Sequence, residues 1–83
     1  MNRADFWKEA ITHFAEYMKA RGYKDSYIRT QVMALKRILR EFGDLGEVTD
    51  QDIWERYSHR SKYLRKNMQQ ALRAFKKWLE GEY

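Results

Sequence analysis

The chain has 83 residues, of which 43% are hydrophobic and 35% charged, and its formal net charge is +5 at pH 7. This length predicts one domain with a single modest core, to which three Trp, six Tyr and four Phe residues bring large apolar side chains. The lack of cysteine excludes disulfides and thiolate chemistry. No apolar run approaches the roughly 20 residues of a membrane span, and the start MNRADFWKEA does not resemble a signal peptide. We therefore expect a cytoplasmic protein without a membrane segment, and the positive charge favours an anionic partner.

The first helix is predicted over residues 4–21. Its apolar residues recur about every three or four positions and share one helical stripe: Phe6, Ala10, Ile11, Phe14, Tyr17 and Met18. Asn2 or Asp5 can cap its start, and Gly22 follows its last turn, where a left-handed residue ends helices. The outer face carries charges of both signs: Lys8, Glu9, Glu16 and Lys19. We therefore assign this helix a structural role and little share in binding.

The second helix is predicted over residues 26–42. Its apolar stripe contains Ile28, Val32, Leu35, Ile38, Leu39 and Phe42. Its exposed side is basic, because Arg29, Lys36 and Arg40 stand at i, i+7 and i+11 and so share one line. Arg37 lies beside them, and no carboxylate occurs from the start of this helix to Arg40.

The next segment reverses the charge. It has no Lys or Arg and contains Glu41, Asp44, Glu47, Asp50, Asp52 and Glu55. A third helix is predicted over residues 50–57, since Thr49 and Asp52 have the spacing of a capping box. Val48 is positioned to pack on Ile53, and the inward candidates are Ile53, Trp54 and Tyr57. Acids in a first turn stabilise the positive end of a helix, so no catalytic or metal role is assigned to them.

The fourth helix is predicted over residues 62–80. Its apolar face contains Leu64, Met68, Ala71, Leu72, Phe75, Trp78 and Leu79. The other positions include six cations and no acid before Glu80: Lys62, Arg65, Lys66, Arg73, Lys76 and Lys77. Such a helix indicates a polyanion as partner. Four helices with short connections and no strand-like alternation predict one all-α domain over residues 1–83, a compact four-helix bundle.

Four features occur in order: an aromatic-rich first helix ending at Gly22, a second helix reading YIRTQVMALKRILREFG, an acidic connection into VTDQDIWERY, and a last helix ending in LRAFKKWL. This order resembles the core-binding domain of tyrosine recombinases, or phage integrases, a SAM-like helical domain. The likeness covers about residues 6–80, and Tyr27 and Gln31 depart from it where the family often has Thr and Tyr. The matching positions are Gly22, Ile28, Leu35, Thr49, Asp52, Ile53, Ser61, Leu72, Phe75, Trp78 and Leu79.

The resemblance implies a function in DNA integration and recombination by a mobile element. In such recombinases this domain and a catalytic domain of the same chain close around double-stranded DNA, and the second and fourth helices face the major groove. The family's catalytic residues belong to the other domain, so this chain is expected to be no enzyme by itself, a monomer when isolated and nucleoid-associated when bound. The predicted DNA-binding residues are Arg29, Lys36, Arg37, Arg40, Lys62, Arg65, Lys66, Gln69, Arg73, Lys76 and Lys77.

The residue types suggest separate roles in binding. Lysines are expected to meet phosphates, whereas Arg29, Arg65 and Arg73 can fork onto guanine. Three amides could reach adenine: Asn67, Gln69 and Gln70. Tyr63 could touch a phosphate through its hydroxyl, although a core or rim position is favoured. For all of these residues an ordinary solvated helix face is the alternative.

The sequence also allows functions other than that of a recombinase domain. His13 and His59 are isolated and no cysteine accompanies them, so no metal or cofactor is expected. A helical protein-interaction module is one alternative, with an exposed Trp7 or Trp78 docking on a partner. A stand-alone accessory DNA-binding regulator is another.

Overall fold

The computed structural model describes residues 2–81, in which four helices follow one another and no strand occurs. The helices are α1 (Arg3–Ala20), α2 (Asp25–Phe42), α3 (Asp50–Arg56) and α4 (Lys62–Leu79). Every boundary lies within one residue of the prediction. The radius of gyration is 12.3 Å, close to the roughly 12 Å of a compact domain of this length. The prediction of a compact all-α fold with four helices is confirmed.

Local hydrogen bonds define the helix ends. The Asp5 amide donates to the side-chain oxygen of Asn2 at 2.8 Å at the start of α1, and Gly43 ends α2 in the left-handed region with φ 72°. At the start of α3 the Asp52 amide donates to the Thr49 hydroxyl at 3.1 Å, and the Thr49 amide donates to the Asp52 carboxylate at 2.9 Å. The predicted caps are therefore confirmed, including the reciprocal capping box.

All four helices contribute to one core. Helix α2 packs against α1 and α4, and α3 packs on α4. The buried apolar residues of the helices are Ile11, Phe14, Met18, Leu35, Ile38, Leu39, Ile53, Met68, Ala71, Leu72 and Phe75, and Tyr57, which directly follows α3, joins them. The connection between α2 and α3 adds Leu45 and Val48, so Val48 lies in the same core as Ile53, as predicted.

Aromatic rings join α1 to α4. The ring centroids of Phe14 and Phe75 are 5.5 Å apart in an edge-to-face arrangement, and those of Phe14 and Trp78 are 5.3 Å apart. The Trp7 ring meets the Phe75 ring edge-on at 6.1 Å. Each such pair contributes about 0.5–1.5 kcal/mol beyond its buried area. Both Trp7 and Trp78 are partly buried against the core, as predicted for Trp78 from its place on the apolar face of α4.

The inward position at the start of α1 is one residue later than predicted. Phe6 is 52% exposed, and Trp7 is the residue packed against the core. Trp7 precedes Ile11 by four residues and so lies on its face, whereas Phe6 precedes Ile11 by five and points away from it. The prediction that Phe6 is a core residue was wrong for this reason.

Two further predictions of buried residues were wrong. Trp54 is 49% exposed, because Ile53 and Tyr57, four residues apart, take the inward face of α3 and the residue after Ile53 is rotated by about 100°. Leu79 is 45% exposed. It follows Phe75 by four residues and lies on the correct stripe, but it is the last residue of α4 and extends past the turns that pack on the core.

Candidate nucleic-acid interface

A groove between α2 and α4 contains part of the predicted DNA-binding surface. Lys36, Arg37 and Arg40 line it from α2, and Tyr63 and Asn67 line it from α4. The groove has a volume of about 550 Å³, and its apolar lining consists of Met33, Ala34, Leu64 and Met68. Tyr63 is 75% exposed and lies at the rim. The structure thus brings the basic side of α2 next to the first turns of α4.

Five exposed cations on these two helices lack an acidic partner. Lys62, Lys66 and Lys77 stand at i, i+4 and i+15 and share the outward side of α4. Lys36 and Arg40 occupy the outward side of α2. Among residues 2–81, no carboxylate oxygen lies within 4.0 Å of any of the five charged groups. We refer to these five residues as the α2–α4 cations.

Three other predicted DNA-binding residues bind the start of α3 instead. The Gln69 side chain donates to the backbone oxygen of Asp50 at 3.1 Å, and the Arg73 guanidinium donates to the Asp50 carboxylate at 2.8 Å. The Lys76 ammonium donates to the backbone oxygen of Val48. The three residues stand at i, i+4 and i+7 on α4, so one line of this helix holds the acidic segment in place.

Two predicted arginines lie over aromatic rings. The guanidinium carbon of Arg65 is 5.8 Å from the ring centroid of Trp54, and that of Arg37 is 5.7 Å from the ring centroid of Tyr57. The Nε atom of Arg37 and the Tyr57 hydroxyl are buried without a hydrogen-bond partner within the described chain. A cation above a ring contributes about 0.5–1 kcal/mol at an exposed site. Arg65 therefore has a preferred position, while its guanidinium still carries N–H donors.

Arg29 is not part of the α2–α4 groove. It lines a shallow cleft between α1 and α2 together with Glu16, Lys19 and Asp25. Two acids and two bases meet there, so the local charge is balanced. Arg29, Lys36 and Arg40 share one line on α2, as predicted. Arg29 has acids beside it, whereas Lys36 and Arg40 line the α2–α4 groove.

Asp44 is held by the backbone, an indole and a guanidinium. The Trp7 indole donates to Asp44 Oδ1 at 3.1 Å, and the Glu47 amide donates to Oδ2 at 2.6 Å. Arg3 Nε lies 3.4 Å from Oδ1. Burial raises the pKa of Asp44, but the hydrogen bonds from the amides of residues 45–47 and the charge of Arg3 outweigh burial, so its pKa is lowered overall. This acid therefore has a structural role.

Other acids of this segment also have partners within the chain. Glu41 accepts from the Arg56 guanidinium at 3.2 Å, Asp50 accepts from Arg73, and Asp52 completes the cap of α3. These contacts agree with the structural role predicted for the acids at the start of α3. Glu41, Asp50 and Asp52 thus have partners on α3, on α4 or at the cap of α3, and none of the ion pairs within residues 2–81 involves one of the α2–α4 cations.

Lys8 was not selected from the sequence as a binding residue. It lines a second cleft, between α1 and α2, together with Lys36 and Arg40. The signal in the sequence was weak, because Ala4, Lys8 and Thr12 are spaced by four along α1 and the next residue on that line is the acid Glu16. The outer face of α1 carries charges of both signs, so the charge pattern did not distinguish Lys8 as a binding residue.

The two histidines belong to no metal cluster in the described part of the chain. His13 Nε2 lies 3.8 Å from Glu9, and His13 Nδ1 lies 3.7 Å from Glu16, all on the exposed side of α1. Within residues 2–81, no three His, Asp or Glu side chains come close enough together to hold a metal ion.

None of the helices described combines the length and the apolar character that a bilayer crossing requires.

In comparisons with known proteins, no family model, curated protein or solved structure matches this chain. The resemblance to recombinase core-binding domains therefore depends on the residues quoted above.

Proposed function

We propose that this chain is a DNA-binding domain of the tyrosine recombinase type, which grips duplex DNA through the basic faces of α2 and α4 during DNA integration and recombination. The single observation that carries the proposal is the set of α2–α4 cations, five exposed positive groups on adjacent helices that have no acidic partner among residues 2–81. The proposal gives the chain no catalytic step. Strand cleavage would belong to a catalytic domain of the same parent chain.

The charge arrangement supports a phosphate partner on physical grounds. Duplex DNA releases condensed counterions when a protein neutralises its phosphates, and this release supplies most of the non-specific affinity. When the α2–α4 cations bind a phosphate, they give up no ion pair with another residue of the described range 2–81. Arg73 can add a sixth contact, because its pair with Asp50 is exposed on both sides and such pairs contribute only about 0.2–1 kcal/mol. Six neutralised phosphates give a log–log salt slope of roughly −5.

Side chains in the groove support a separate role at base edges. Arg40 and Asn67 line the α2–α4 groove from opposite helices. An arginine can donate two hydrogen bonds to guanine, and an amide can pair with adenine. Gln70 is exposed on α4, whereas the Gln69 amide donates to Asp50. We therefore favour Asn67 and Gln70 for base contacts, whereas Arg40 belongs to the α2–α4 cations and is expected to contact a phosphate.

A protein-interaction module is the second candidate. Trp54 is 49% exposed on α3, and Arg65 covers one side of its ring. Tryptophan and arginine are enriched at the energetic centres of protein interfaces. In this alternative the docking aromatic is Trp54, since Trp7 and Trp78 are partly buried against the core.

The proposal is tested by fluorescence anisotropy with a labelled 20-base-pair duplex over a series of salt concentrations. The test variant carries Lys36→Glu and Lys66→Glu, and the matched control carries Lys19→Glu and Lys24→Glu, which make the same change in net charge. We expect the test variant to lose about 100-fold in affinity at 0.1 M salt, because two phosphate contacts become repulsive. The control should lose less than about fivefold, since it changes only the overall field.

Three outcomes contradict the proposal. A flat salt dependence would exclude phosphate contacts, and equal losses in the two variants would exclude a defined DNA-binding face. Self-association that persists at 1 M salt and disappears in Trp54→Ala would favour the protein-interaction module. Thermal unfolding followed by circular dichroism should give nearly the same midpoint for all the lysine variants, because exposed substitutions usually change the stability by less than about 0.5 kcal/mol.

A further inference from the structure

A second cleft lies between α1 and α2, on the other side of Lys36 and Arg40 from the α2–α4 groove. Lys8 and Thr12 line it from α1, and Lys36, Leu39 and Arg40 line it from α2. Its volume is about 650 Å³. Lys36 and Arg40 belong to the lining of both clefts. They therefore form a ridge of positive charge between two depressions.

The charges in this cleft all have the same sign. Its lining contains Lys8, Lys36 and Arg40 and no acid. Asp5 and Glu9 are neighbours of Lys8 on α1, but within the described chain no carboxylate oxygen lies within 4.0 Å of its ammonium group. Three cations around one depression repel one another, and an anion bound between them would be attracted by all three and offset that repulsion.

The polar groups of the cleft define what kind of anion fits. The Thr12 hydroxyl donates to the backbone oxygen of Lys8 at 3.1 Å, so its hydrogen is already engaged. Binding therefore falls to two ammonium groups and one guanidinium. Arg40 can present two parallel N–H donors to a pair of phosphate oxygens, while Lys8 and Lys36 act as point charges. This set of donors suits a tetrahedral oxyanion such as a backbone phosphate.

We infer that Lys8 joins Lys36 and Arg40 to hold one backbone phosphate of the bound duplex, so that the DNA-binding surface continues from α4 across α2 onto α1. The inference rests on the proposed function, because the phosphodiester belongs to the same duplex that contacts the α2–α4 cations. It gives α1 a binding role in addition to its packing role. Lys8 is then a DNA-binding residue on α1, a helix from which the charge pattern predicted none.

The test compares Lys8→Gln with Lys19→Gln, a lysine removed from the same helix. Lys19 is the matched control because it lines the charge-balanced cleft with Glu16 and Asp25. Affinity for a 20-base-pair duplex is measured over a salt series. We expect Lys8→Gln to bind about three- to tenfold more weakly at 0.1 M salt. Its log–log slope should be less steep by no more than about 0.9, the value for one phosphate, because Lys36 and Arg40 still contact the shared phosphate. Lys19→Gln should stay within about twofold of wild type.

A double-mutant cycle separates a shared phosphate from a general field effect. If Lys8 and Arg40 hold the same phosphate, the variant with both Lys8→Gln and Arg40→Gln should lose less than the product of the two single losses. Independent multiplication of the losses would overturn the shared site. If the wild type binds the duplex and Lys8→Gln has the same affinity and salt slope as Lys19→Gln, the inference about Lys8 is wrong and the proposed function still stands. If wild type shows no salt-dependent affinity for the duplex, the proposed function and the inference fail together.

Discussion

The guanidinium of Arg73 on α4 donates to the carboxylate of Asp50 on α3 at 2.8 Å. The side chain of Arg73 is 60% exposed and that of Asp50 is 48% exposed. Solvent screens such a pair, and exposed pairs contribute only about 0.2–1 kcal/mol to stability. The contact therefore directs Arg73 toward α3 in the free chain without binding it strongly, and a phosphate can compete for the guanidinium.

Asp50→Asn should increase the affinity for duplex DNA. The substitution releases Arg73 for a phosphate and removes a negative charge beside it, so we expect about three- to tenfold tighter binding at 0.1 M salt. Glu55→Gln is the matched control, because it removes one negative charge from the same helix. The Glu55 carboxylate accepts from the Gln51 amide at 3.1 Å and forms no ion pair within residues 2–81. Anisotropy titrations of both variants at one salt concentration measure the difference. Equal gains would mean that only net charge matters and that Arg73 does not reach the DNA.

Leu72→Ala should destabilise the fold by about 2–5 kcal/mol, since the side chain is 1% exposed and its removal leaves a cavity. Leu79→Ala makes the same chemical change on the same helix at a 45% exposed position. We expect it to cost less than about 1 kcal/mol, because little apolar area is lost there. Urea unfolding followed by circular dichroism compares the two free energies of unfolding. A neutral Leu72→Ala would show that the register of α4 is wrong.

Helix ends were predictable because their signals are local. The capping box of Thr49 and Asp52 and the left-handed Gly43 act within a few residues of their own positions. It was harder to predict which residue of a short helix or of a terminal turn faces the core. Phe6 and Trp7 are both large and apolar, and the spacing to Ile11 decides between them only when the core is known to begin with Ile11.

The charged face was predictable as a set, but the partner of each cation was not. Periodicity placed Gln69 and Arg73 on the exposed part of α4, where the sequence shows only that no acid is near. The structure turns Asp50 toward them from α3, 19 and 23 residues earlier in the chain. Contacts over such separations depend on how helices pack, which composition and spacing do not specify. The same reason explains why Lys8 was not associated with Lys36.

Gly46→Ala should destabilise the protein by about 1–3 kcal/mol through crowding. A Cβ atom at this position would lie 3.1 Å from Cζ2 of Trp7 and 3.4 Å from its Cη2. The indole cannot easily move away, because it donates to Asp44 and packs on the Phe75 ring. Thermal unfolding measures the cost in wild type and in a Trp7→Phe background. The smaller ring should remove most of the penalty; an unchanged penalty would show that crowding against Trp7 is not its source.

Asp44→Asn should destabilise the protein at neutral pH and have less effect in acid. Because the pKa of Asp44 is lowered in the folded chain, its charge contributes stability that is fully present above the unfolded pKa of roughly 3.9 and is lost as the pH falls through the folded value. Loss of a charged hydrogen-bond acceptor should cost about 1–3 kcal/mol at pH 7.

Thermal unfolding of the wild type and of Asp44→Asn at pH 7, 4 and 3 should show that the difference in stability shrinks below about pH 4. Glu47→Gln removes one negative charge from an exposed acid of the same connection and is the control for the change in net charge. A difference that stays constant from pH 7 to pH 3 would mean that Asp44 acts through shape and neutral hydrogen bonds, so that its charge contributes nothing to holding Trp7 and Arg3.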